Sequence, residues 1–328
     1  MLTVFASFCI AAHHSPRAAA ISDYRPILGL SASHPGSVYL RRYSRSGQDS
    51  TLTPDPTTLA TSLERVPEDM RLVDWDAVRA SFPACAWLHA LDKARAAGKT
   101  LLDAGIRRSD RPEDGVDLTV DLCPSRKPLD RGFFRDVLSA LEDEQKPVPI
   151  GLSLSGSWMT THESDLEWLE SLAKAGRIRP VWIDHSYHHR VSPTASLPRN
   201  FLLEPSTKLD EEVFRTEMAM IDRGMVPSPF FRFPGLVSRD SLVERILSWG
   251  LVPVGSEAWL AKGGQRVHDG SIVLVHANGN EPLGLMRFRL QLRQHREEIR
   301  SHHWFLYDLR ESVADRPSIA DSSSASGE

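Results

Sequence analysis

The sequence predicts an α/β protein: a parallel sheet closed or nearly closed into a distorted (β/α) barrel, carrying an N-terminal extension. Three observations predict it. From Val116 onward, short apolar runs of strand length alternate with amphipathic stretches of helical period. The connections between them are short, as in strand–helix–strand units wound around a parallel sheet. Strand candidates number about seven, which suits a barrel better than an open doubly wound sheet.

The elements follow in order. Residues 116–120 read as a strand, and 129–144 as an amphipathic helix placing Phe133, Phe134, Val137, Leu138 and Leu141 on one face. Strand 148–154 and helix 163–175 come next, then strand 181–183 and helix 210–223. Residues 229–232 are extended, 240–249 helical and 251–254 a strand. Residues 271–275 form a strand, 286–299 a helix and 304–309 a last strand. No internal repeat is visible.

The barrel is expected over residues 116–310. Residues 21–115 form the extension, partly flexible and partly helical. Within it, Ser-, Thr-, Arg- and Pro-rich residues 44–58 read as a flexible linker. In 74–104, Trp75, Val78, Phe82, Trp87, Leu88, Leu91, Leu101 and Leu102 recur at helical intervals, with Pro83 and Gly98 as breaks. Residues 311–328 end in a Ser-rich polar run and read as a disordered tail. Residues 1–20 hold a short apolar run and a small-residue pattern, which read as a signal peptide without the usual basic start. This points to the periplasm or to secretion, with the cytoplasm as the alternative. No later run is long enough for a transmembrane segment.

Composition is ordinary for a globular chain of 328 residues, with 41% hydrophobic and 25% charged residues. A net charge of −4 gives no reason to expect nucleic acid or an anionic membrane surface. The eight Trp are mainly core and rim packing, and any lining a cleft would offer a stacking surface for a sugar ring. Of three cysteines, Cys85 and Cys123 lie beyond the leader, and both a disulfide and separate buried thiols are open.

Chemistry in β/α barrels collects at the carboxyl ends of the strands. Asp121 closes the first strand here, and Asp184-His185-Ser186-Tyr187-His188-His189 follows the third. Arg232 follows Phe230-Phe231, Glu257 and Trp259 follow 251–254, and His276 closes 271–275. Histidines four apart, His185 and His189, reach one side of a turn and suit a divalent metal. With a carboxylate, a guanidinium and a third imidazole nearby, the set suggests metal-assisted hydrolysis. His162, His268, His295, His302 and His303 fall in loops or on helix surfaces, and His188 points away from its neighbours.

These residues resemble the motifs of polysaccharide deacetylases of the NodB-homology type, carbohydrate esterase family four, over residues 116–309. Thr119-Val120-Asp121-Leu122 resembles the first motif and His185-Ser186-Tyr187-His188-His189 the second. Phe231-Arg232-Phe233-Pro234-Gly235 is similar to the third, Trp259 to the tryptophan of the fourth, and Leu274-Val275-His276 to the fifth. Residues 148–158 resemble the second strand and its Gly-x-Trp ending.

The resemblance implies a divalent metal, zinc above all, on His185 and His189. It implies Asp121 as general base, Arg232 orienting it, and His276 as the acid protonating the leaving amine. A backbone N–H near Tyr187 would help stabilise the oxyanion. Trp259 and Leu274 would line an acetyl pocket, and Tyr187 and Pro234 complete the substrate side. The substrate would be an N-acetylated polysaccharide or oligosaccharide.

The first motif departs from the family, whose second carboxylate is a third metal ligand; here Leu122 stands in its place. Two histidines alone leave zinc under-coordinated. Asp121 becoming a ligand, Asp184 completing or orienting the site, and loss of the metal are all open, whereas Cys123 reads as part of the turn. In the fourth motif Glu257 is the nearest carboxylate. The expected function is therefore metal-dependent N-deacetylation. The alternatives are a catalytically silent glycan-binding or envelope-assembly relative and, further off, a hydrolase of small C–N amides.

Overall fold

The structure is a computed structural model that describes residues 20–97, 101–109, 111, 114–263 and 266–314. The signal peptide expected at 1–20, apart from residue 20, and the tail from 315 lie outside the described residues, as does Gly98. Among the described residues no helix is long and apolar enough to cross a membrane.

The chain first builds an antiparallel sheet of five strands: β1 (Ile21–Leu30), β2 (Tyr39–Arg45), β3 (Gln48–Pro54), β4 (Thr61–Arg65) and β5 (Arg71–Leu72), in the order β4-β3-β2-β1-β5. Residues 44–58, expected as a linker, hold the β2–β3 hairpin instead. Arg45 pairs with Gln48 across Ser46-Gly47, whose φ of 54° and 75° make the two-residue turn that matches strand twist. The strand is disguised because a core position in β2 carries Arg41, which is fully buried. Its guanidinium binds both oxygens of Glu217 at 2.7 and 2.9 Å, and Tyr24 donates to the same carboxylate at 2.8 Å.

Two helices follow, α1 (Trp75–Ser81) and α2 (Ala86–Ala96), with Pro83 in the break between them. Asp74 caps α1 by accepting from Ala77 N–H, and the Cys85 sulfur caps α2 by accepting from Leu88 N–H. The expected helical run stops there. Residues 101–109 run as an irregular segment that edges the barrel through isolated bridges of Leu102 to Val237, Ile106 to Val254 and Arg108 to Ser271.

The barrel strands and helices are β6 (Gly115–Leu122), α3 (Arg131–Leu141), β7 (Val148–Leu154), α4 (Gly156–Thr161), α5 (Glu163–Lys174), β8 (Ile178–Asp184), α6 (Leu209–Asp222), β9 (Phe230–Phe231), α7 (Asp240–Ser248), β10 (Val252–Pro253), β11 (Ala258–Trp259) and β12 (Ile272–His276). The chain ends in α8 (Pro282–Gln294), α9 (Arg296–Arg300), β13 (Phe305–Leu306) and α10 (Leu309–Val313). The helix expected at 286–299 starts earlier and breaks at His295, and the last strand stops at Leu306 before a short helix. All sheet pairings are parallel, in the order β10-β9-β8-β7-β6-β12-β11, with β13 beside the start of β6. This is an open, distorted (β/α) barrel.

Its seam lies between β10 and the β12 side. Ile106 N–H bonds to Pro253 O, Gly255 N–H to Ile106 O, and Ile272 N–H to Arg107 O. The extension therefore supplies the missing edge. It also shares a core with the barrel, since Leu40, Val78, Trp87 and Leu91 pack in one cluster with Phe230, Phe231, Val252 and Ile272. A second core lies between the sheet and its covering helices, where α3 buries the five apolar residues its period selects. Trp87, Trp158, Trp249 and Trp304 are buried, which accounts for half of the tryptophans as packing.

Candidate active site

The parallel register brings the polar residues to one end. Cα pairing sets His276 beside Asp121, Asp121 beside Ser153, and Asp184 beside Phe231. β6 runs to Leu122, two residues beyond the expected end, and side chains alternate along it. Leu122 therefore points into the helix-side core, while Asp121 and Cys123 both turn toward the barrel mouth.

His185 follows β8, and its N–H donates to Leu154 O. Ser186 and His189 have φ of 64° and 48°, so the loop bends back through left-handed backbone instead of forming a helical turn. This folds the two imidazoles together, with ring centroids 4.7 Å apart. Gly156 fixes the loop: a Cβ there would meet the Tyr187 ring at 2.1 Å. Gly235, at φ 61°, likewise makes room for Phe201, which a Cβ there would meet at 2.5 Å and whose ring stands edge-on to His189 at 5.8 Å.

The side chains of Cys123, His185 and His189 offer three donor atoms within 4.8 Å of one another, all on buried residues. His185 Nδ1 lies 2.9 Å from Arg232 O. A carbonyl only accepts, so Nδ1 carries a proton and Nε2 is the ring nitrogen left facing the trio. His189 Nε2 is buried without a hydrogen-bond partner. These residues fit a divalent metal.

Asp121 stands to one side of the trio, with Oδ2 3.6 Å from His185 Nε2. Its other oxygen accepts from Arg232 at 2.9 Å. The buried guanidinium also donates to Thr119 Oγ1 at 2.7 Å and Gly255 O at 2.9 Å, so its position is fixed. Burial alone would raise the Asp121 pKa. The charge of Arg232, aided by His185 and His276, outweighs it and brings the value down to about 2. Asp121 is a carboxylate at any physiological pH.

Across the mouth, His276 Nδ1 approaches Glu281 Oε2 at 2.8 Å, an ion pair off the line of the N–H bond. Trp259 Nε1 donates to the same oxygen at 2.6 Å, and Lys262 Nζ sits 3.5 Å from the Trp259 ring centroid. Burial favours a neutral His276, but Cys123, Glu281 and Asp121 outweigh it and raise its pKa. At Cys123 the imidazoles of His189, His276 and His185 likewise overcome burial and hold the thiol pKa well below its ordinary value. A cavity of about 200 Å³ opens over these groups, walled by Cys123, His189, Phe201, Trp259, His276 and Glu281.

Not every expected residue faces this cavity. The Tyr187 ring packs on Gly156 and under Arg215, 4.0 Å from the guanidinium carbon. Pro234 is buried beside the wall formed by Gly235, and Leu274 lies two residues below His276, buried on the same side of β12. Asp184 does not complete the metal site. It faces the Arg41–Glu217 pair and accepts from Ser186 N–H, and burial with the nearby Glu217 raises its pKa well above the usual range. Glu257 binds Arg108 and Ser271 instead of the site. His188 turns away to Glu212 at 2.7 Å. Cys85 and Cys123 are both free, so the disulfide alternative is closed. Cys123 and Glu281 are the functional groups missed in the sequence; Glu281 sits in a loop that no strand period places.

No family model matches the sequence. The fold is similar to a family 4 carbohydrate esterase pseudoenzyme from Bacillus anthracis, at 16% identity and a TM-score of 0.44 over 64% of this chain and 69% of that one. It is similar to a family 4 carbohydrate esterase from Bacillus anthracis, at 18% identity and 0.44, over 68% of this chain and 90% of the other. A peptidoglycan deacetylase from Bacillus subtilis matches at 14% identity and 0.42, over 62% of this chain and 92% of its own.

Proposed function

We propose that the protein is a metal-dependent hydrolase that removes N-acetyl groups from an N-acetylated glycan. The observation that carries this reading is the convergence, at one end of the barrel, of a buried Cys–His–His trio in which His189 Nε2 has no hydrogen-bond partner, a carboxylate held ionised, and an imidazole held protonated in the cavity wall. The substrate class rests on the resemblance of Thr119–Leu122, His185–His189, Phe231–Gly235, Trp259 and Leu274–His276 to the deacetylase motifs.

His185 and His189 hold the metal. A divalent ion there supplies Lewis acidity to the amide carbonyl and to water. Asp121, kept charged by Arg232, takes the proton from the attacking water. His276 gives its proton to the amide nitrogen as the C–N bond breaks, so acetate and a free amine leave. Glu281 holds His276 in place and, through Trp259, fixes the cavity wall. The cavity has room for an acetyl-sized group, so the rest of a glycan lies across the open mouth.

One observation favours the silent alternative: Leu122 stands in the core where the family has a ligating carboxylate. Acetate release from N-acetylglucosamine oligomers separates the two. The hydrolase reading expects release that is lost on chelation and in His185→Ala. Glycan binding without release at any zinc loading would leave only the binding role.

A further inference from the structure

We propose that Cys123 is the third protein ligand of the metal, so that the centre is a Cys–His–His site selective for thiophilic ions such as zinc and cobalt(II). This rests on the metal-dependent reading above and goes beyond the histidine pair on which that reading depends.

Zinc–sulfur and zinc–imidazole bonds of about 2.3 and 2.05 Å, at a tetrahedral angle, put sulfur and nitrogen about 3.6 Å apart. Cys123 Sγ lies 3.5 Å from His185 Nε2. The sulfur is held there from behind. Asn278 Nδ2 donates to Cys123 O at 2.8 Å, Ser125 Oγ donates to Asn278 O at 2.7 Å, and Ser155 Oγ donates to Leu122 O at 3.1 Å. Asn278 is fully buried, so the turn after β6 is fixed before any metal arrives.

The second observation is independent of the thiol. His189 is 8% exposed, and its Nε2, aimed into the same space, has no partner. An unsatisfied buried imidazole nitrogen is costly unless something occupies the space it faces. Ser186 and His189 are both held in left-handed backbone to aim it there.

A thiolate in place of a carboxylate keeps the ligand charge at one negative unit. It changes the metal preference. Sulfur favours zinc and cobalt(II), whereas carboxylate, carbonyl and water suit magnesium and manganese. Asp121, standing outside the trio, is thereby left free to act as base.

The test uses the full chain, purified without a histidine tag, stripped of metal and titrated with cobalt(II). The expected result is one equivalent bound, with an intense near-ultraviolet thiolate-to-cobalt absorption and the visible bands of a tetrahedral ion. Stoichiometric zinc should abolish both signals, and a large excess of magnesium should leave them unchanged. Cys123→Ser should lose the near-ultraviolet band and bind at least tenfold more weakly. Cys123→Asp should bind cobalt without that band and become sensitive to manganese.

Wild-type protein that binds cobalt without the thiolate band, or binds none, overturns the proposal. So does an unchanged spectrum in Cys123→Ser. A protein whose thiol is alkylated equally fast with and without zinc, and which forms an S-acyl adduct with substrate, has Cys123 as nucleophile and also overturns it. The band without any acetate release leaves the ligand assignment standing and refutes the deacetylase reading; acetate release without the band does the reverse.

Discussion

Arg232→Met isolates the device that keeps Asp121 charged. Methionine keeps much of the stem's volume and removes the guanidinium 2.9 Å from Asp121 Oδ1. Two opposite charges at contact, with an effective dielectric of about 20, interact by about 4 kcal/mol, or about three pKa units. Asp121, now at about 2, should therefore titrate near 5 in the variant.

The sign follows from the depressed folded-state pKa. In the wild type the Asp121 environment adds about 2.5 kcal/mol of stability above the unfolded value near 3.8, lost as pH falls through about 2. In the variant that contribution is lost and turns into a cost, so the total destabilisation at neutral pH is about 4 kcal/mol, within the range for breaking a buried pair. The assay is kcat/KM for acetate release against pH, run beside thermal melts and with Arg232→Lys as a variant that keeps the charge. The acid limb should rise by two to three pH units in the methionine variant and much less in the lysine variant. A folded Arg232→Met enzyme whose acid limb overlays that of the wild type refutes the reasoning.

Three other outcomes follow from named contacts. Glu281→Gln removes the carboxylate beside His276, so the His276 pKa falls and the alkaline limb of kcat moves to lower pH; KM for short oligomers should hardly change. In Gly156→Ala a Cβ meets the Tyr187 ring, so the His185–His189 loop shifts and zinc affinity, read by competition with a chromophoric chelator, falls at least tenfold. Arg41→Met leaves the buried Glu217 carboxylate in α6 without its cation, with only Tyr24 still donating to it, which costs about 3–5 kcal/mol in denaturant melts; Glu217→Gln should cost as much, and the double variant less than the sum.

Much of this was legible in the chain. Period and loop length gave the barrel because helices and strands that bury one face must repeat their apolar residues at fixed intervals. Asp121, Arg232, His185, His189 and His276 were visible because each ends a strand or the loop after it. The N-terminal sheet was hidden because its strands carry core positions such as Arg41, whose partner Glu217 lies 176 residues away. Cys123 does lie in the turn after β6, as expected, yet its side chain faces the histidines, and the signal for that was present. If β6 continues to Leu122, two-residue alternation puts Cys123 on the side of Asp121 and sends Leu122 into the core. Glu281 gave no such signal, since its approach to His276 depends on how the loop before α8 folds.

The central claim is a hydrolytic metal centre, and acetate release measured against zinc bound per chain tests it most directly. Release from N-acetylated sugar oligomers should rise linearly to one zinc per chain, stop on chelation, and be absent in His189→Ala. One zinc bound on the histidine pair with no acetate released from any N-acetylated glycan would contradict it.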